Sequence, residues 1–401
     1  MERDRVKTEF ILITTSNFPV GGASANYLNL FCKGLIENNQ KVQVWLLKGH
    51  AFGKFIDLNI RKRISPDGIP YFYLSSPNRP LNNFKKIWDD FVAMLRLIYC
   101  LIKLGNKRKS SCILLYNNDI LFNLPIYIAV KILCIKIISI VPEYYDKSVF
   151  DGSFLRKLKW FGFLMNFKYL NKRSDSLIVF SYYLKDQYLR LGFKEHRIIV
   201  QPNLTDFEFW RTKGVKLKYT LGYSGTPSLK DGLFDLLHVI SKLKIENNPI
   251  TLLIIGDSTF GSSLIPDLRK LCESLNISDL VMFTGLVDIE QVKKHLAECK
   301  ILILTRPNII QTQAGFPTKL GEYFASGKQI LTTNFGDIEK YFDPMKEIVT
   351  ANCRDINDIS NKLIWMLQHP NESEQIQKAG YFKAKQFLSY KESLDRIIKG
   401  I

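Results

Sequence analysis

The sequence predicts an α/β protein made of two doubly wound, Rossmann-like domains. Its 401 residues exceed the roughly 250–300 at which a single core stops growing. Short apolar runs of strand length alternate with helical stretches, and this alternation restarts after a break near the middle of the chain. Such alternation favours parallel sheets covered by helices on both faces.

The first half contains short apolar runs of strand length, and helical stretches separate most of them. Residues 27–36, for example, have apolar residues at helical spacing. The predicted strands are 9–15, 41–47, 113–116, 137–141, 177–180 and 198–201. Residues 120–141 are the most membrane-like stretch, but they contain Lys131, Lys136 and Pro125. A buried helix followed by a buried strand is therefore predicted there.

The second half repeats the rhythm after a segment punctuated by Pro202, Asn203 and Asp206. Its predicted strands are 218–223, 251–255, 281–283, 301–304, 330–333 and 347–350, and its predicted helices include 233–243, 289–298, 318–325 and 383–398. We expect an N-terminal domain over residues 1–203 and a C-terminal domain over 204–382. In open parallel sheets ligands bind beyond the carboxyl ends of the strands, so a cleft between two facing domains is expected to hold the site.

Composition argues against a disordered chain, a disulfide-bonded scaffold and a secreted protein. Hydrophobic residues form 46% of the chain and charged residues 23%, as in ordinary globular proteins. The seven cysteines include no CxxC pair, which predicts core thiols in a reducing, cytoplasmic compartment. The charged N-terminus lacks the apolar core of a signal peptide.

The net charge of +18 lies almost wholly in the first half, where residues 1–205 hold 31 Lys and Arg against 15 Asp and Glu. This favours an anionic partner, such as a phosphorylated substrate or a membrane surface. No nucleic-acid-binding motif accompanies the charge, so no nucleic-acid partner is expected.

Three loops carry candidate ligand-binding residues. Gly21 and Gly22 follow the first strand, where a backbone without side chains can approach a ligand ahead of a helix N-terminus. Lys230 lies in the loop 223–232 after the first strand of the second half, where a cation could stabilise a diphosphate leaving group.

The third loop, residues 314–327, is the most informative. Pro317 suits the first turn of a helix and Gly327 its end, so a helix beginning near Thr318 would offer free amides to a diphosphate. Glu322 lies one turn further on the same face, where its carboxylate could accept two ribose hydroxyls.

These motifs resemble those of retaining GT-B glycosyltransferases of the glycosyltransferase family 4 type. The resemblance rests on the glycine pair, on segments 174–181 and 202–206, on the Ser-Gly and Lys-Asp-Gly of 224–232, on Ile-Gly-Asp at 255–257, on Phe-Thr-Gly at 283–285 and on 315–322. It covers nearly the whole chain and is loose over residues 50–135.

The resemblance implies a GT-B architecture and metal-independent sugar transfer from a UDP- or GDP-sugar, with no cofactor. Lys230 would contact the diphosphate, Glu322 the ribose, and the backbone of Gly315, Phe316 and Thr318 the donor sugar and phosphate. Gly225 and Thr226 belong to the loop that carries Lys230, and Gly21 and Gly22 would line the cleft. A final helix over about 383–401 would pack on the first domain.

This sequence departs from the family pattern at three positions. Ala314 replaces the first of two family glutamates, and Thr226 replaces a frequent arginine, whose charge Arg306 or Lys319 could supply. A first-domain histidine is missing, and Glu143 is the nearest polar candidate to contact the reacting sugar or acceptor.

The resemblance also suggests a lipid-linked or oligosaccharide acceptor in cell-surface polysaccharide synthesis, such as capsule or O-antigen. Two stretches, 91–109 and 154–173, mix basic and apolar residues. They are candidates for peripheral contact with the anionic inner face of the cell membrane. The alternatives are a binding protein of this fold that has lost catalysis and a nucleotide-sugar epimerase.

Overall fold

The computed structural model describes residues 8–50, 62–106, 110–150, 152–212, 214–258 and 263–401. The chain folds as two compact units, one formed by Met1–Gln201 with Ser393–Ile401 and the other by Pro202–Glu392. Both are mixed α/β units, as predicted.

The first unit contains an eight-stranded sheet among its described residues, in the order β3-β4-β2-β1-β5-β6-β7-β8. All neighbouring strands are parallel except β3 and β4. The strands are β1 (Glu9–Thr14), β2 (Lys41–Leu46), β3 (Lys62–Ile64), β4 (Pro70–Tyr73), β5 (Ser111–Tyr116), β6 (Lys136–Val141), β7 (Ser176–Val179) and β8 (Ile198–Val200).

Among its described residues, five α-helices lie wholly in the first unit: α1 (Ala23–Glu37), α2 (Asn83–Gly105), α3 (Ile120–Leu133), α4 (Phe154–Met165) and α5 (Tyr182–Arg190). The inner faces of α2 and α3 bury Leu97, Leu101 and Ile126 against Ile13 and Ile113 of the central strands. These helices therefore cover one face of the sheet.

Two sequence predictions about this unit are wrong in part. Residues 120–141 do form a helix and a strand, but α3 buries only one face and leaves Leu121, Ile128 and Ile132 exposed. The cysteines are free, yet Cys134 is exposed rather than a core thiol. It ends α3 with a left-handed φ of 52°.

The second unit contains a six-stranded parallel sheet in the order β11-β10-β9-β12-β13-β14, within its described residues. This is the Rossmann strand order. The strands are β9 (Tyr219–Ser224), β10 (Leu252–Ile255), β11 (Val281–Phe283), β12 (Cys299–Leu304), β13 (Gln329–Thr333) and β14 (Val349–Ala351).

The helices of the second unit are α6 (Phe207–Trp210), α7 (Leu233–Ile245), α8 (Ile265–Ser274), α9 (Ile289–Ala297), α10 (Ile310–Ala314), α11 (Thr318–Ser326), α12 (Ile338–Tyr341), α13 (Ile356–Gln368) and α14 (Pro370–Leu388). A last helix, α15 (Tyr390–Gly400), begins in this unit and ends in the first.

The single helix predicted over 383–398 is divided at Ser389, which has extended backbone angles. Thr205 donates its backbone N–H to the Leu388 carbonyl at 2.8 Å and accepts from the Tyr390 N–H at 3.2 Å. This local pairing replaces the helical hydrogen bonds. Beyond it, Arg396 donates to Gln201 and Leu394 packs closely on Gly34, both contacts within the first unit.

Candidate functional site

The described residues of the second unit form a polar site where its strand order reverses. In this sheet β9 pairs with β10 on one side and with β12 on the other. The loops that follow β9 and β12 therefore diverge at the carboxyl edge, which is where ligands enter open α/β sheets. Lys230 follows β9 and Arg306 follows β12.

The loop after β9 depends on Gly225, whose φ is +120°. A Cβ at this position would lie 2.3 Å from the Cε atom of Lys319. Glycine therefore lets the Lys319 side chain cross the loop. Thr226 is exposed and its hydroxyl donates to the Asp257 carbonyl at 3.3 Å.

A buried carboxylate organises the positive side chains of this site. Asp231 Oδ1 accepts from Arg306 Nη2 at 2.9 Å and from Lys319 Nζ at 3.0 Å. Its Oδ2 accepts from Ser228 Oγ at 2.5 Å, and Lys319 also donates to the Tyr223 hydroxyl. Burial alone would raise the pKa of Asp231, but the Lys319 and Arg306 charges hold it well below its usual value.

Lys319 and Glu322 form the second part of the site, one turn apart on α11. Burial lowers the pKa of Lys319 to about 8, although the Asp231 charge opposes this shift. Burial raises the pKa of Glu322 to about 7, with the Lys319 charge opposing it. Among the described residues, the Glu322 side chain has no hydrogen-bond or ion-pair partner.

Lys230 is exposed and, within the described part of the chain, makes no hydrogen bond or ion pair. Its charge contributes to lowering the pKa of Lys319, so the two ammonium groups share one electrostatic environment. Lys230 is the cation of this site that is not already paired with Asp231.

The N-terminus of α11 lies at the same edge. The helix begins at Thr318, as predicted, and no side chain caps it, so its first-turn amides can bind an anion. The preceding backbone is fixed because Asn203 donates its side-chain amide to the Phe316 carbonyl. Gly321 allows this packing, since a Cβ there would lie 2.1 Å from Thr205 Oγ1.

The predicted residues of the second half thus fall into two groups. Arg306 and Lys319 share the Asp231 carboxylate, while Lys230 and Glu322 have no such partner. Gly315 and buried Ala314 precede α11. The sequence did not predict that Asp231 and Tyr223 would bind the Lys319 side chain. The one signal in the sequence was that Asp231 lies between Lys230 and Gly232, in a predicted ligand-binding loop.

The predicted residues of the first unit lie at the carboxyl edge of its own sheet. Gly21 and Gly22 are exposed, and Gly22 begins α1 without a side-chain cap. Ser24 hydrogen-bonds Tyr116 at the end of β5. Burial is the main cause that raises the pKa of Tyr116, and the charge of nearby Glu143 raises it further. Glu143 itself is exposed and hydrogen-bonds Tyr145. The α1 N-terminus and Glu143 therefore flank one polar surface.

The described residues contain neither a candidate metal-binding cluster nor a candidate membrane-spanning helix. Within the described ranges, no three His, Cys, Asp or Glu side chains are placed to hold a metal ion. None of the described helices is both long and apolar enough to cross a membrane.

The two Rossmann-like units give the chain a GT-B fold, which confirms the fold class expected from the sequence. Residues 206–383, most of the second unit, match the family described as Glycosyl transferases group 1. No curated protein matches the sequence.

Several solved structures share the fold. Anabaena HepE in complex with UDP-glucose is 14% identical with a TM-score of 0.71, and the alignment covers 98% of this chain and 100% of HepE. A glycosyltransferase of Rickettsia africae is 12% identical, with a TM-score of 0.73 and coverage of 98% and 97%. Sucrose-phosphate synthase of Thermosynechococcus elongatus is 13% identical, with a TM-score of 0.72 and coverage of 98% of both chains.

Proposed function

We propose that this protein is a glycosyltransferase that moves a sugar from a nucleoside diphosphate sugar to an acceptor. The observation that carries the proposal is that Lys230 adjoins Asp231, which binds Lys319, and that Glu322 lies one turn from Lys319 on α11. Neither the Lys230 nor the Glu322 side chain has a hydrogen-bond or ion-pair partner among the described residues. The group 1 match of residues 206–383 and the UDP-glucose in HepE support this donor class.

The side chains and backbone amides of this site each suit one part of a UDP- or GDP-sugar. The Lys230 ammonium would bind the diphosphate and stabilise the charge that grows on it as the glycosidic bond breaks. The amides of α11 would bind phosphate oxygens, with Gly315 and Phe316 beside the sugar. The Glu322 carboxylate, once ionised, would accept hydrogen bonds from both ribose hydroxyls.

We further propose transfer with retention at the anomeric carbon and without a metal ion. In this mechanism the leaving phosphate takes the proton of the acceptor hydroxyl, so no strong enzymatic base is required. Gly21, Gly22 and Glu143 are the proposed contacts on the acceptor side. The proposed acceptor is a lipid-linked glycan or oligosaccharide in cell-surface polysaccharide synthesis.

One observation favours a second function, nucleotide-sugar binding without catalysis. Ala314 is fully buried and offers a methyl group where related enzymes have a carboxylate that touches the donor sugar. A site without this contact could hold the nucleotide and fail to position the sugar.

The test is thermal stabilisation by a panel of UDP, GDP and their sugars, followed by measurement of nucleoside diphosphate release with acceptor glycans. A ligand that binds only the folded protein raises the melting temperature. We expect one nucleotide to stabilise the wild type, and Lys230→Ala and Glu322→Ala to remove that response. Stabilisation without turnover would favour the binding protein, and no stabilisation by any nucleotide would reject the donor site.

A further inference from the structure

The outer face of α2 is apolar along its whole length. Its inner face packs Leu97 and Leu101 into the core, so a surface helix should be polar on the opposite side. Instead, large apolar side chains are exposed there, including Phe84 at 79%, Trp88 at 62% and Ile102 at 58%. These positions recur at helical spacing and form one continuous stripe.

Two neighbouring helices repeat this arrangement. On α3 the exposed side chains are Leu121, Leu124, Ile128 and Ile132, and on α4 they are Phe154, Leu158 and Phe161. Ile132 and Phe154 are 73% and 78% exposed. Isolated exposed apolar residues are common, but three adjacent stripes form a patch of the kind that marks an interaction site.

Close contacts hold the three helices side by side. A Cβ on Gly105 of α2 would lie 3.0 Å from Leu133 of α3, and one on Gly162 of α4 would lie 3.1 Å from Ile120 of α3. We call the combined outer faces of α2, α3 and α4 the three-helix surface.

The charge of this surface is strongly positive. On α4 the charged residues are Arg156, Lys157 and Lys159, with no Asp or Glu, and α3 contains Lys131 and no acidic residue. The two acidic residues of α2, Asp89 and Asp90, are paired with Arg79. Lys157 and Lys159 are exposed beside the apolar stripe of α4.

We propose that the three-helix surface docks on an anionic lipid bilayer, with its apolar stripes among the acyl chains and its lysines at the headgroups. Protein interfaces are depleted in lysine, whereas exposed leucine, isoleucine and tryptophan flanked by lysine suit the bilayer interface. The surface extends beyond the two basic stretches expected from sequence, because α3 and the first half of α2 contribute to it. Residues 107–109 of the first stretch lie outside the described residues. This inference does not rest on the proposed function.

The test is co-sedimentation of the full chain with vesicles of phosphatidylcholine alone or mixed with phosphatidylglycerol. We expect binding to the anionic vesicles that weakens with salt. The double variant Lys157→Gln/Lys159→Gln should bind roughly twenty-five-fold more weakly, since each surface cation contributes about a fivefold effect. Leu95 of α2 and Ile128 of α3 are two further exposed apolar residues of the surface. Leu95→Gln/Ile128→Gln should weaken binding at least about tenfold by removing apolar insertion.

Matched controls come from the second unit. Lys270→Gln/Lys294→Gln changes two exposed lysines, and Ile245→Gln/Phe382→Gln changes two exposed apolar residues. None of the four belongs to the three-helix surface, so both variants should leave binding unchanged. Equal binding to both vesicle types, or equal loss in the control variants, would overturn the proposal. The proposal would also be overturned if the wild type failed to bind vesicles and instead formed a dimer that Leu95→Gln/Ile128→Gln dissociates.

Discussion

Asp231 and Lys319 form a nearly buried ion pair, with 3.0 Å between Oδ1 and Nζ and side-chain exposures of 1% and 11%. Arg306 binds the same oxygen, so one carboxylate is paired with two cations of the candidate donor site. This pairing, rather than the number of cations, determines which positive group is available to a ligand.

Removing the Asp231 carboxylate should destabilise the second unit strongly. Asp231→Ala leaves two cations without their counter-ion, and breaking a buried pair costs about 3–5 kcal/mol. Lys319→Met should cost less, because Arg306 still pairs with Asp231. Chemical denaturation of both single variants and the double variant measures this difference, and Glu374→Ala, in the exposed pair with Lys378, is the control. Equal costs for Asp231→Ala and Glu374→Ala would contradict the assignment.

The exposed ammonium of Lys230 should contribute to binding but not to folding. Lys230→Ala should weaken nucleoside diphosphate binding roughly tenfold to a hundredfold, because a hydrogen bond to a charged group contributes about 1.5–3 kcal/mol. Its melting temperature without ligand should match the wild type. Calorimetric titration measures the affinity, with Lys294→Ala on α9 as the control, and unchanged affinity in Lys230→Ala would place the diphosphate elsewhere.

Gly225 should resist substitution for two reasons. Gly225→Ala brings a Cβ onto Lys319 and imposes a strained φ, which should cost about 1–3 kcal/mol and displace the Lys319 ammonium. Gly285→Ala is the matched control, since φ there is +67° and nothing lies within 4 Å of the added Cβ. We expect Gly225→Ala to lower both stability and nucleotide affinity, and Gly285→Ala to lower stability alone. Similar nucleotide affinity in the two variants would show that Lys319 has not moved.

Glu322 should make stability fall as the pH rises towards neutrality. Its pKa is raised to about 7 in the folded protein from 4.5, so between these values the unfolded chain has lost a proton that the folded chain retains. The free energy of unfolding of the wild type, relative to Glu322→Gln, should therefore decrease by at most about 1.4 kcal/mol per pH unit in this window. Urea denaturation at several pH values measures it. An increase across the same window would mean that the pKa is lowered.

Most of the parallel strands could be predicted from sequence because they are buried and read as apolar runs. β3 and β4 were missed because β3 is short and polar and β4 begins with Pro70. The division at Ser389 arises from pairing with Thr205, which is far away in sequence, and no glycine or proline marks it.

The positions of the ligand-binding loops could be predicted from the sequence, but the ion pairs that Asp231 forms within the site could not. Glycine, proline and lysine at fixed spacing located Gly225, Lys230 and α11. The role of Asp231 depends on the strand order, which makes β9 and β12 neighbours so that Arg306 can reach Asp231, and no local pattern carries that information.

The exposed Cys134, which directly follows α3, is a natural attachment point for a spectroscopic probe at the end of one helix of the three-helix surface. The six other cysteines are buried or half-buried, so a maleimide dye should label the native chain preferentially at the end of α3. A polarity-sensitive fluorophore at this position would report in real time whether the surrounding solvent changes from water to lipid, without any engineered residue.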